Sequence, residues 1–138
     1  MRRLFIGILA VCAAFSYLSC TGEASGEPDF WLGADISWAT EYESRGYKFY
    51  NADGEERECT ELMKELGLNA VRLRVWVDPS AHGGWCSKED LLVKCLRAEK
   101  LGMAILVDFH YSDWWADPAK QNIPASWSGH SYEQMKKD

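Results

Sequence analysis

No CxxC pair occurs in the chain, and His82 is the only imidazole near Cys59, Cys86 and Cys95, so the ligand spacing of a structural zinc site is missing. No metal is expected. Basic charge is scarce as well: 15 Lys and Arg face 21 Asp and Glu, a formal net charge of −6, which removes the positive footprint of a nucleic-acid-binding protein. The apolar run LFIGILAVCAAF, residues 4–15, has twelve residues, against the roughly 20 that a membrane-spanning helix needs.

Short as it is, that run follows the basic start MRR and precedes SYLSC, which together read as an export signal. The ending at Cys20 resembles a bacterial lipobox, with Tyr17 where such motifs usually carry Leu. The expectation is a signal peptide over 1–19, a lipidated Cys20 that attaches the protein to a membrane, and a flexible acidic tether over 20–29. The product would be an anchored lipoprotein of the cell surface or periplasm, with plain secretion as the alternative. Three cysteines remain beyond Cys20, an odd set for an oxidising compartment, so one pair and one free thiol are expected.

Tryptophan is abundant, with seven in 138 residues, and aromatic residues make up 13%. Such rings fill a core or line a ligand surface. The densest stretch is VDFHYSDWWADP, residues 107–118, which carries three aspartates, a histidine, a tyrosine and two tryptophans directly after the apolar run MAIL. Acids and large rings leaving the end of a buried strand point to a site.

From residue 30 the pattern is regular. FWLGADIS (30–37), AVRLRVWV (70–77) and AILVDFHY (104–111) read as strands; RECTELMKELG (57–67) and SKEDLLVKCLRAEKLG (87–102) read as helices, the second capped by Ser87. This βαβαβ order implies a parallel sheet. After it, Ser131 with Gln134 makes a capping box for a further helix. Alternation places Leu32, Ala34 and Ile36, then Val71, Leu73 and Val75, then Ile105, Val107 and Phe109 on one face. The other face carries Asp35 and Ser37, Arg72, Arg74 and Trp76, and Asp108 and His110. A doubly wound, flavodoxin-like sheet, the alternative, is apolar on both faces because helices cover both. A (β/α)8 TIM barrel covers only the outside and opens its inner face at the strand C-termini, so the charge favours a barrel, of which this chain holds about the first three βα units. Asp35, Arg74, Asp108 and His110 would then ring one mouth.

GADISW (33–38), VRLRVWVDP (71–79), DFHYSDWWADPAKQ (108–121) and IPASW (123–127) resemble glycoside hydrolase family 53, the arabinogalactan endo-β-1,4-galactanases. The resemblance implies a (β/α)8 barrel that cleaves β-1,4-galactan with retention, with an acid/base glutamate after strand 4 and a nucleophilic glutamate after strand 7. Neither lies within this chain, so residues 30–138 are expected to be an N-terminal portion, inactive by itself. No cofactor is implied, and a full-length enzyme would be a monomer. A neutral galactan suits an acidic, Trp-rich surface, and Asp35, Arg74, Trp76, Asp108, His110, Tyr111, Asp113 and Trp114 are the candidate substrate-binding residues. Other retaining barrel glycosidases, of mannanase or xylanase type, and a non-catalytic galactan-binding lipoprotein are the competing readings.

The bland alternatives are specific. Arg72 reads as a barrel-floor arginine neutralised by inward carboxylates, Asp108 with His110 as a structural polar pair, and Trp115 and Trp127 as loop packing. Glu41 and Glu43 read as residues of a solvated loop. Arg74 is expected to pair with Asp35 or Asp108, because the three strands are neighbours. Cys59 and Cys86 both fall on the C-terminal side of a barrel, whereas Cys95 lies further down its helix, so a Cys59–Cys86 disulfide is expected.

Overall fold

In a computed structural model that describes residues 30–137, three strands lie in parallel with the order β1 (Gly33–Asp35), β4 (Ala70–Val75), β5 (Ala104–Phe109). The expected signal peptide, tether and Cys20 lie outside the described residues. The register pairs Asp35 with Arg72 and Arg74 with Asp108, so the acidic and basic positions of neighbouring strands sit side by side.

β1 is much shorter than the apolar run suggests. The Asn69 side chain accepts from the Leu32 N–H at 2.8 Å and donates to the Phe30 carbonyl at 2.9 Å, so an amide holds residues 30–32 where a strand ladder was expected. Gly33 has a steric role: a Cβ there would stand 2.9 Å from the Ala70 carbonyl oxygen and 3.2 Å from its Cβ. Because that obstacle is strand backbone, Gly33→Ala is expected to cost about 1–3 kcal/mol. The urea midpoint of the full-length protein should fall; an unchanged midpoint would mean that β1 can move away from β4.

Helix α2 (Cys59–Glu65) starts where the Glu58 carboxylate accepts from the backbone N–H groups of Thr60 and Glu61. α3 (Lys88–Lys100) starts at Ser87, whose hydroxyl accepts from the Asp90 N–H, and stops at Gly102, which has φ +63°. Both helices cover one side of the sheet, where Val71 and Leu73 are fully buried with Ile36, Cys59, Ala98 and Met103. This is the face the alternation marks as apolar. Phe109 departs from it and is 60% exposed, because β5 has no neighbour on its far edge among the described residues.

Residues 38–56, to which no strand or helix was assigned from sequence, carry structure of their own. α1 (Ala39–Ser44) follows β1, and an antiparallel hairpin joins β2 (Phe49–Tyr50) to β3 (Glu56–Arg57). Arg57 therefore belongs to the hairpin and not to the helix expected over 57–67. Glu41 and Glu43 are not solvated loop residues: Glu41 is buried and paired with Arg45, and Glu43 bonds Arg97 at 2.8 Å. A short helix α4 (Tyr132–Met135) carries the expected Ser131–Gln134 capping box.

The Cys59–Cys86 disulfide does not form, and Cys59, Cys86 and Cys95 are free thiols. Cys59 packs into the core at the start of α2, while Cys86 turns into a separate polar pocket beside Arg74 and the Ser37 carbonyl. Burial pushes both thiols up, Cys59 to about 11, which keeps them protonated and poor at exchange.

Candidate active site at the strand C-termini

Polar groups converge where the three strands end. Arg72, midway along β4, reaches sideways with one guanidinium nitrogen on Asp35 of β1 and another on Asp108 of β5. It ties all three strands together, with one cation between two carboxylates. For Asp35, burial would raise the carboxyl, but hydrogen bonds from the Ser37 hydroxyl and N–H, together with Arg72, outweigh it and hold the group below the ordinary value of 3.8. The expected Arg74 ion pair is thus made by Arg72. The face assignment survives, since Arg72 and Arg74 lie on the same side of β4, but the partner was misjudged.

Arg74 has a different environment. It is 2% exposed, and its guanidinium carbon lies 4.6 Å from the Trp38 ring centre, 4.8 Å from Trp76 and 4.0 Å from Trp115. Three indoles from three segments stack on one cation, an arrangement that suits a planar, weakly hydrated guanidinium. Its Nη2 donates to Cys86 Sγ at 3.6 Å, its Nε–H has no acceptor, and no carboxylate pairs with it among the described residues. A buried cation left in this state has strong demand for an anion.

His110 links the two sets. Its Nδ1 lies 3.0 Å from Trp76 Nε1, and its Nε2 lies 3.0 Å from Asp108 Oδ2. An indole N–H can only donate, so Nδ1 must accept, the proton sits on Nε2, and Asp108 receives it. The chain Arg72–Asp108–His110–Trp76 therefore orients a neutral imidazole at the mouth, and the Asp108–His110 pair is a structural contact as well as a site feature.

The remaining candidates separate by geometry. Asp113 accepts from the Asp78 N–H at 3.0 Å and the Ala125 N–H at 2.8 Å, so both its oxygens brace loops. Trp114 is sandwiched between Trp76, at 4.5 Å between centroids, and His82, at 3.9 Å with planes 25° apart. Tyr111 is 65% exposed with φ +46°, a conformation rare for a bulky residue. It packs against Trp127 with 6.2 Å between ring centres, and both rings line a cleft of about 670 Å³ that has Arg72, Asp108 and His110 along its wall. Aromatic walls over a hydrogen-bonding floor suit a sugar ring. Trp115 was expected to be loop packing but stacks on the Arg74 guanidinium, while Trp38 was not singled out as a site residue; it follows Asp35 by three residues, and that proximity to a strand end was the available signal. Among the described residues no cluster of three or more His, Cys, Asp or Glu could hold a metal. A larger cleft, about 760 Å³, lies beside the hairpin, with Tyr47, Lys48, Arg57 and Glu61 among its walls and none of the strand-end groups.

The sequence profile of Glycosyl hydrolase family 53 matches residues 31–138. The endo-beta-1,4-galactanase of Bacillus subtilis (strain 168) is 40% identical over 114 residues, covering 78% of this chain and 27% of that protein. The arabinogalactan endo-beta-1,4-galactanase of Cellvibrio japonicus is 37% identical over 131 residues, covering 93% of this chain and 33% of that protein. The solved Ignisphaera aggregans GH53 catalytic domain superposes with a TM-score of 0.73 at 40% identity, over 82% of this chain and 33% of that one. The chain thus spans about a third or less of the length of these relatives.

Proposed function

Because the chain belongs to glycosyl hydrolase family 53, with a fold that is the N-terminal part of a (β/α)8 barrel, we propose that it forms one wall of the active site of an endo-acting, retaining β-1,4-galactanase. The observation that carries this reading is Arg74, a buried guanidinium caged by three indoles at the barrel mouth with no carboxylate paired to it among the described residues. Retaining hydrolysis needs two carboxyl groups about 5 Å apart, one of them ionised as nucleophile. Arg74 supplies the fixed positive charge that holds such a carboxylate ionised and aimed. His110, with its proton on Nε2, and the Asp35–Arg72–Asp108 row define the polar floor, while Tyr111 and Trp127 offer stacking faces to a neutral galactan. The two glutamates come from later strands by family resemblance.

A reducing-sugar assay on the full-length protein tests this. Release from β-1,4-galactan well above that from β-1,4-mannan and xylan is expected, with short oligosaccharides appearing early, as endo cleavage requires. Preference for mannan or xylan would reassign the substrate, and binding without turnover would reduce the protein to a lectin-like role.

The same proposal places the enzyme outside the cytoplasm, anchored through lipidated Cys20, where polymeric galactan is met. What supports it is the order of basic, apolar and small residues that ends at Cys20. Cys20→Ser should shift the protein from the detergent phase to the aqueous phase on detergent partitioning and abolish acyl labelling. Equal partitioning of both forms would favour plain secretion.

A further inference from the structure

The mouth does not account for a second set of buried charges behind it. Lys94, in the middle of α3, has no solvent exposure, yet it does not face the substrate cleft. Its ammonium donates to the Ser37 carbonyl at 2.8 Å and to Asp90 Oδ2 at 2.6 Å. Asp90, whose side chain is 9% exposed, also accepts from the Cys86 N–H at 2.7 Å on the same oxygen and from the Thr40 hydroxyl at 2.6 Å on the other. One ion pair on α3 therefore grips both the turn that leaves β1 and the loop that enters α3.

Those two segments are the ones that hold Arg74. Ser37 donates its hydroxyl to Asp35 at 2.6 Å and accepts the Arg74 backbone N–H at 2.8 Å. Trp38, the next residue, is one of the three caging rings. Cys86 presents Sγ to the Arg74 guanidinium, bonds its thiol toward the Ser37 carbonyl at 3.7 Å, and is held at φ +61°, which a non-glycine residue rarely adopts. Stability alone is a poor reason for such a pair, since apolar residues of similar volume serve a buried position as well or better.

We infer that Lys94 and Asp90 are positioning residues for Arg74: their buried ion pair sets the distance between the Ser37–Trp38 turn and Cys86, and so the orientation of the guanidinium. This deepens the galactanase reading and rests on it for its catalytic consequence. A shift of the turn by a fraction of an ångström moves Trp38 and the Arg74 backbone together, which misaims the guanidinium without touching the groups that bind the polymer. The signature is a loss in kcat at nearly constant KM.

The test is the full-length protein with Lys94→Met and Asp90→Asn combined, which removes the charges but leaves an amide oxygen to accept from Cys86 or Thr40. Expected is a fall in kcat of about tenfold or more on β-1,4-galactan with KM within about twofold. Thr40→Val, which deletes one bond to Asp90 and introduces no charge, should show a smaller loss of the same kind and serves if the double variant does not fold. A second readout is independent of activity: under native conditions, the rate at which iodoacetamide labels the Cys86 peptide, measured by mass spectrometry, should rise about tenfold or more in the variants as the loop loosens. Wild-type kcat with unchanged Cys86 labelling would overturn the positioning role. If the wild-type protein fails to cleave galactan, the proposed activity fails, and the labelling rate alone decides whether the pair sets this geometry.

Discussion

A polypeptide of residues 1–138 alone is expected to release no reducing ends from β-1,4-galactan, whereas a full-length protein carrying the later barrel strands should do so if the proposed activity holds. Three strands cannot close a barrel, and among the described residues β1 and β5 have unpaired edges, with Leu106 and Phe109 about 60% exposed, so this polypeptide should be marginally stable and prone to associate. The chemical reason is stronger than the stability reason. A general acid and a nucleophile must flank the glycosidic bond from opposite sides. The carboxylates of this wall are committed elsewhere: Asp35 and Asp108 to Arg72, and Asp113 to two backbone N–H groups. Reducing-sugar assays with size-exclusion chromatography check both parts. Turnover by the 138-residue polypeptide that is lost in Asp108→Ala would make the DFHYSDWW motif itself the active centre and overturn the assignment of catalysis to later glutamates.

The second large effect is expected at Arg74. Arg74→Lys in the full-length protein should lower kcat by about 10²–10³-fold, the scale on which a single preorganised electrostatic contact in an active site operates. Lysine keeps the charge, but a compact, strongly hydrated ammonium cannot stack flat against Trp38, Trp76 and Trp115 or present a planar fork to a carboxylate. Arg72→Lys should be milder in kcat, because Arg72 already spends its charge on Asp35 and Asp108 and acts through the sheet. Steady-state kinetics with circular dichroism on the folded variants give the comparison. If the order reverses, Arg72 is the functional cation and Arg74 a packing residue.

Much of the sheet and both long helices could be read directly. Ser87 and Gly102 bracket α3 because a side-chain cap and a left-handed exit are local chemistry, written in residues adjacent to the ends they control. Leu73 and Arg72 fall on opposite faces because strand alternation is local too. The region 38–56 was opaque for the opposite reason. Its tyrosines, glutamates and lysine show no clear period, and α1 and the hairpin are held by contacts to distant partners such as the Glu43–Arg97 bond.

The local pattern of the sequence was sufficient for the βαβαβ order, the apolar and charged faces, and the concentration of function at the strand ends, and the motif DFHYSDWWADP was sufficient to suggest the family. Tertiary structure alone decided which arginine meets which acid. Register places Arg74 opposite Asp108, yet a long side chain can reach past its register partner, and Arg72 does so to hold Asp108 while Arg74 turns into a cage made by residues 38, 76 and 115. The same holds for Cys86, whose partner is Arg74 and not Cys59. Pairings of this kind depend on side-chain reach and on desolvation by rings that arrive from three separate segments, quantities that exist only once the chain has folded.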